Sequence, residues 1–116
     1  MIEYSFISKT SHPTDSFKEY LIKKLSKIDW LLDDAAADAK VTLEKNNNSN
    51  YDLTITLIVK NIRQNVSEKT YKASSTHSDA YAAVDLVEEK LKRQIRKTLT
   101  AINRDDRRLR SFKNTL

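Results

Sequence analysis

Residues 51–60 read YDLTITLIVK, in which Tyr51, Leu53, Ile55, Leu57 and Val59 alternate with Asp52, Thr54, Thr56 and Lys60. A period of two sends alternate side chains to opposite faces of a strand. One face is apolar and the other polar, which calls for a sheet covered on one side and wet on the other. Working back, NNNSN at 46–50 is a loop, and its asparagines are expected to take the positive φ that glycine usually supplies, since the chain has no glycine. Before it, Val41 and Leu43 alternate with Lys40, Thr42 and Glu44, a second strand. Working forward, Asn61–Lys69 is looser and leads to a short strand around Thr70–Ser75, after which Thr76–Asp79 caps a helix.

That helix, YAAVDLVEEKLKRQIRK at 81–97, changes character along its length. Val84, Val87, Leu91, Ile95 and Ile102 recur at helical spacing and form an apolar stripe. Lys90, Lys92, Arg93, Arg96 and Lys97 follow without an intervening acid and are expected to fill the opposite arc. Asp85, Glu88 and Glu89 precede them, so acids lie toward the positive end of the helix dipole and cations toward the negative end. Glu88–Lys92 and Glu89–Arg93 are i,i+4 pairs in the favourable order, each contributing ~0.2–0.5 kcal/mol. A run of this kind is either a solvated face or a surface for an anionic partner.

At the N-terminal side, Ile2, Tyr4 and Phe6 alternate with Glu3 and Ser5, a first strand. Thr10–Ser16 holds the only proline, Pro13, and leads to a helix cap at Thr14, with Ser16 and Glu19 as an alternative capping box. Phe17, Tyr20, Leu21, Leu25, Ile28, Leu31 and Leu32 make a helix of about four turns that stops near Asp33–Asp34. Lys24 falls inside its apolar arc, flanked by Lys23 and Lys27, and its stem must run along the core edge to free the ammonium. With the helices side by side, Lys24 and Lys27 would join Arg93, Arg96 and Lys97 in one basic cleft.

The fold expected is α+β in the order β-α-β-β-β-α: a four-stranded sheet with both helices on one face, and Thr54, Thr56, Lys40 and Glu44 facing solvent. Residues 1–102 form one domain, and 103–116 (NRDDRRLRSFKNTL) a basic C-terminal tail, linker or frayed helix end without a stripe. The 116 residues carry a net charge of +5, unevenly spread: 7 Lys+Arg against 9 Asp+Glu in 1–58, and 14 against 7 in 59–116. Such polarity suits nucleic acid, an acidic membrane or an acidic protein.

Chemistry is harder to find. Without glycine there is no Gly-rich phosphate loop and no Gly-flanked nucleophile elbow. His12 and His77 fall in unrelated loops without ligand spacing, so no metal or other cofactor is expected. Ser78 and Asp79 beside His77 read as capping groups rather than a catalytic set. Asp33–Asp34 and Asp105–Asp106 are adjacent pairs whose side chains diverge. No enzyme is expected, and no small-molecule substrate. The absence of cysteine fits a reducing compartment. With neither a signal-peptide pattern nor an apolar run of the ~20 residues a spanning helix needs, a soluble chain is expected, with no membrane partner.

Two segments are similar to the ribosome hibernation promoting factor family, also called ribosome-associated translation inhibitors. Asp79, Tyr81 to Leu86, Lys90, Leu91, Gln94, Ile95 and Lys97 match that family's acidic residue, Tyr-Ala-Ala-Ile-Asp-Leu and Lys-Leu-x-x-Gln-Leu/Ile-x-Lys pattern. Thr14, Asp15, Tyr20, Lys24, Leu25, Lys27 and Ile28 match its Thr-Asp…Tyr…Lys-Leu-x-Lys-Leu pattern. The resemblance covers roughly residues 1–100. Where the family often has Gly-Arg-His after the first strand, this chain has Ser8-Lys9-Thr10, which keeps only the charge. The loop between the third and fourth strands is longer and more polar than the family's usual turn. The resemblance implies a short-type member, or the N-terminal domain of a longer protein.

It also implies a bacterial, cytoplasmic protein that binds the small ribosomal subunit and its 16S ribosomal RNA, in the channel of messenger and transfer RNAs near the decoding region. It would silence ribosomes in stationary phase or starvation and be a monomer off the ribosome. Lys9, Lys24, Lys27, Lys90, Arg93, Arg96 and Lys97 are the expected ribosomal-RNA contacts. Asp85 matches a family carboxylate and is expected to be structural, pairing within its own helix. Two other readings stay open. One is a generic double-stranded-RNA-binding module, whose α-β-β-β-α order is contained in this one, although such modules place lysines at the start of the last helix. The other is a basic domain that docks an acidic protein.

Overall fold

The computed structural model describes residues 1–8, 12–32, 35–60 and 68–114, with backbone alone for 101–114. In chain order the elements are β1 (Ile2–Phe6), α1 (Asp15–Leu31), β2 (Ala37–Lys45), β3 (Tyr51–Val59), β4 (Lys69–His77) and α2 (Ala80–Asn114). The strands form one sheet in the order β1-β2-β3-β4. β1 runs parallel to β2, and the other neighbours are antiparallel. The order β-α-β-β-β-α is therefore the one expected from the alternation pattern.

The inner sheet face carries Ile2 from β1; Ala37, Ala39, Val41 and Leu43 from β2; Leu53, Ile55, Leu57 and Val59 from β3; and Tyr71 and Ala73 from β4. Phe17, Leu21, Leu25, Ile28 and Leu32 come down on it from α1, and Ala83, Val84, Val87, Leu91 and Ile95 from α2. Both helices thus cover the same side, and all these residues belong to one core. Alanines at 37, 39, 73 and 83 leave room for close approach, and the buried Ser75 hydroxyl donates to the Ala83 carbonyl at 2.8 Å where β4 meets α2. On the outer face Lys40 is exposed, and Thr54, Thr56 and Glu44 are half-buried among polar neighbours, with Thr42 paired to Thr54 and Thr54 to Ser74.

Several local expectations shift. β2 begins at Ala37 rather than Lys40, because pairing of Ile2 with Ala37 and Tyr4 with Ala39 extends a segment of weak strand propensity. β4 runs on to His77, which is the last strand residue and not a loop residue. In the 46–50 turn the positive φ falls on Ser49 (61°), not on an asparagine. Asn46 instead uses its side-chain oxygen to accept the Asn48 and Asn50 amides, and the hairpin puts its left-handed position at the fourth loop residue. Of the two caps proposed for α1, Thr14 is used: its Oγ1 accepts the Phe17 amide at 3.1 Å. Asp79 caps α2, accepting the Tyr81 amide on Oδ1 and the Ala83 amide on its carbonyl. The backbone of α2 stays helical through Asn114, past the point at Ile102 where the stripe ends. Ile102 and the tail side chains, the 61–67 segment, Lys9 and the Asp33–Asp34 pair lie outside what is described.

Candidate nucleic-acid interface

Two parallel helices make the layer opposite the solvent-facing sheet surface. Their common direction follows from their contacts. Tyr20 meets Tyr81 edge to face at 5.1 Å, and one turn on in each helix Lys24 Nζ lies 3.3 Å from Asp85 Oδ1. The Tyr20 hydroxyl donates to the same Asp85 oxygen at 2.7 Å, and Phe17 completes the aromatic end of the seam against Tyr81 at 6.0 Å. Asp85 thus pairs across the helix interface, to Tyr20 and Lys24, and not within α2 as its sequence neighbours suggested. The hydrogen bond to Asp85, with desolvation, holds the Tyr20 phenol above its ordinary pKa. Asp85 likewise holds the Lys24 ammonium above the ordinary lysine value.

The next α2 rung is Glu88, only 4% exposed, with Lys92 Nζ 2.8 Å from its Oε1. That oxygen makes no aligned hydrogen bond, so the contact is charge attraction at short range. The Glu88–Lys92 pair expected from spacing is therefore formed; among the described residues Glu89–Arg93 is not. Tyr20, Asp85, Lys24, Glu88 and Lys92 make a seam whose charges cancel at its N-terminal end.

The cations do not share one arc. Lys92 leans into the seam. Lys90 leans the other way, to the sheet edge, where its ammonium donates to the Ser74 carbonyl at 2.6 Å. One turn on, Gln94 Nε2 donates to the Lys72 carbonyl at 3.0 Å. Both carbonyls belong to β4, an edge strand, so Lys90 and Gln94 cover backbone acceptors that would otherwise invite another strand. Lys90 and Lys92, two residues apart, lie about 200° apart round the helix and so meet different surfaces, which is why a charge run reads as one face and folds as two flanks.

Four of the expected contacts remain unneutralised. Lys27, Arg93, Arg96 and Lys97 are exposed, and none has an ion pair or side-chain hydrogen bond with another described residue. They stand on the outer side of the helix layer, Lys27 in the last turns of α1 and Arg93, Arg96 and Lys97 midway along α2. Lys24, expected to join Lys27, Arg93, Arg96 and Lys97 in one basic cleft, is instead bound to Asp85. Lys23 and Trp30, neither of them among the residues expected to bind, are exposed on the outer side of α1, Trp30 at 82%. Its absence from the apolar stripe was the available signal.

Among the described residues no three His, Asp or Glu side chains converge as metal ligands, and no helix is long and apolar enough to cross a membrane. A cleft of about 210 Å³ opens at the N-terminal ends of both helices, lined by Pro13, Phe17, Leu43, Tyr51 and Tyr81 among others. His77 Nδ1 accepts the Asp79 amide at 2.9 Å, which makes His77 and Asp79 turn and capping groups.

The chain is 33% identical over 108 residues to the ribosome hibernation promotion factor of Lactococcus lactis subsp. cremoris (strain MG1363), covering 92% of this chain and 55% of that one. With the ribosome hibernation promotion factor of Staphylococcus aureus (strain COL) it shares 32% over 108 residues, 92% and 53% respectively. It therefore spans about half the length of these curated relatives. Among solved structures, the Thermus thermophilus Protein Y N-terminal domain superposes with TM-score 0.67 at 23% identity, covering 84% of this chain and 97% of that one. A ribosomal subunit interface protein from Coxiella burnetii does so with TM-score 0.66 at 19% identity, covering 86% and 99%. At such identities the two structures bear on the fold alone, and they share it. The model of the Sigma 54 modulation protein / S30EA ribosomal protein family matches residues 4–114, and the chain belongs to that family.

Proposed function

We propose that this chain is a ribosome-associated translation inhibitor of the bacterial cytoplasm. It binds the small ribosomal subunit through 16S ribosomal RNA, in the channel of messenger and transfer RNAs near the decoding region, and silences ribosomes in stationary phase or starvation. The observation that carries the reading is the set of unneutralised cations, Lys27, Arg93, Arg96 and Lys97, exposed on two helices packed side by side. Two relatives named as ribosome hibernation promotion factors support it. Folded RNA presents phosphates in fixed positions, and cations carried on packed helices meet them without reordering. Lys24 and Lys90 border this footprint, the first held by Asp85 and the second by the Ser74 carbonyl, so neither adds to the count of free cations. Residues 1–102 carry the binding, and the basic segment from 103 continues the α2 helix beyond it through Asn114. Recognition is by electrostatics and shape, with no catalytic step.

The test is co-sedimentation with purified small subunits across a salt series. Four free cations predict a log–log slope of about −3 to −4. Arg93, Arg96 and Lys97 changed together to Glu abolish co-sedimentation and leave the thermal transition nearly in place, since exposed charges contribute little to folding. Subunits that bind no better than an acidic protein control would defeat the ribosomal reading.

A further inference from the structure

Trp30 is the only tryptophan in the chain and stands 82% exposed. Indole is the largest side chain a fold has for burial, and here most of it is left in water. It contributes nothing to the core: the buried residues of α1 are Phe17, Leu21, Leu25 and Ile28, and at about 100° per residue Trp30 lies half a turn from Leu21. The same spacing puts Lys23 and Lys27, seven and three residues earlier, on its side of the helix. Both lysines are exposed, and neither ammonium has a partner among the described residues. Asp29, next to Trp30 in sequence, is already engaged by the N-terminal ammonium at 3.1 Å.

We propose that Trp30 is a stacking platform for an unpaired nucleobase, with Lys23 and Lys27 holding the flanking phosphates. This rests on the RNA-binding reading above and gives it a ligand class: an unstacked nucleotide in a single-stranded stretch or bulge, beside whatever helical RNA the α2 cations contact. Every base presents a π-face to an aromatic ring, and the adjoining backbone is a polyanion, so one free indole beside two free ammonium groups matches a nucleotide in both its parts. A protein groove or a bilayer needs a contiguous apolar patch. Ile22, the other large apolar side chain exposed on α1, lies about two turns away, and lysines occupy the space between.

Because the chain has a single tryptophan, its emission reports on this residue alone. The intact chain is titrated with a short unstructured adenylate strand, an RNA duplex and purified small subunits, while binding is followed separately by anisotropy of labelled RNA and by sedimentation. The strand quenches Trp30 emission and the duplex does so less, while subunits, whose proteins have tryptophans of their own, are read by sedimentation of the parent and Trp30→Ala chains. Trp30→Ala weakens strand binding by roughly 5- to 150-fold, Trp30→Phe or Trp30→Tyr restores most of it, and the salt slope is unchanged because no charge is removed. Binding with unaltered emission, and with Trp30→Ala at wild-type affinity, overturns the platform and leaves the RNA reading standing. Failure of subunits to bind in the separate readouts defeats the RNA reading itself. Quenching that depends on protein concentration without RNA assigns the indole to self-association and overturns the platform too.

Discussion

At the residue scale, the seam shows how little a side chain's sequence neighbours say about its partner. Lys24 sits in the apolar arc of α1, and its spacing did give its position at the core edge. Its partner Asp85 is far along the chain, and only the parallel side-by-side docking of the helices brings them to 3.3 Å. Tyr4 is a second case. Burial, with Asp29 nearby, pushes its phenol from 10.0 up to about 12. Its folded value lies above its unfolded one, so the stability it lends is complete below pH 10 and is lost as pH rises toward 12. Tyr20 and Lys24 are raised too and act in the same direction. Chemical denaturation at stepped pH therefore shows stability falling above pH 10, and Tyr4→Phe flattens part of that fall. An unchanged profile in Tyr4→Phe would mean that Tyr4 ionises as freely in the fold as in the unfolded chain.

At the element scale, the legible parts were those with a strong period. β3 alternates without a break on its inner face, and its register carries β2 and β4 with it. The start of β2 and the end of β4 were not legible because Ala37–Ala39 and Thr76–His77 have small or polar side chains; pairing with a neighbour made them strand. In α2 the stripe was legible, and so was the contrast between its two sides. Leu91 is wholly buried, whereas Arg93, two residues on, is exposed. Leu91→Ala should cost about 2–5 kcal/mol of folding stability. Arg93→Ala should fall within about 0.5 kcal/mol of the parent. Thermal or urea unfolding of the two variants checks both, and equal losses would show that the outer arc also holds the fold together. Lys90 and Gln94 were legible only as parts of a motif. Their task at the β4 edge needed the sheet order, which no local pattern contains.

At the scale of the whole molecule, the fold turns a sequence polarity into a surface polarity. The basic half of the chain supplies α2, and the acidic half supplies α1 and the strands it crosses between. Laid side by side, the helices neutralise one another at Tyr20, Lys24 and Asp85, Glu88 is paired with Lys92 within α2, and Lys27, Arg93, Arg96 and Lys97 are left uncompensated. On the proposed reading, Asp85 then bears on affinity without touching RNA, because it occupies a cation that phosphate would otherwise take. Asp85→Asn keeps an acceptor for the Tyr20 hydroxyl and removes the charge that holds Lys24. The variant should bind small subunits with a salt slope steeper by about 0.7–0.9, the increment of one further released counterion. Its thermal transition should stay close to the parent, since the Lys24–Asp85 pair is partly solvated and such pairs contribute little. Asp85→Asn combined with Lys24→Met returns the slope to the parent value. A slope that stays the same in Asp85→Asn would place Lys24 outside the RNA footprint, and the footprint would then begin at Lys27.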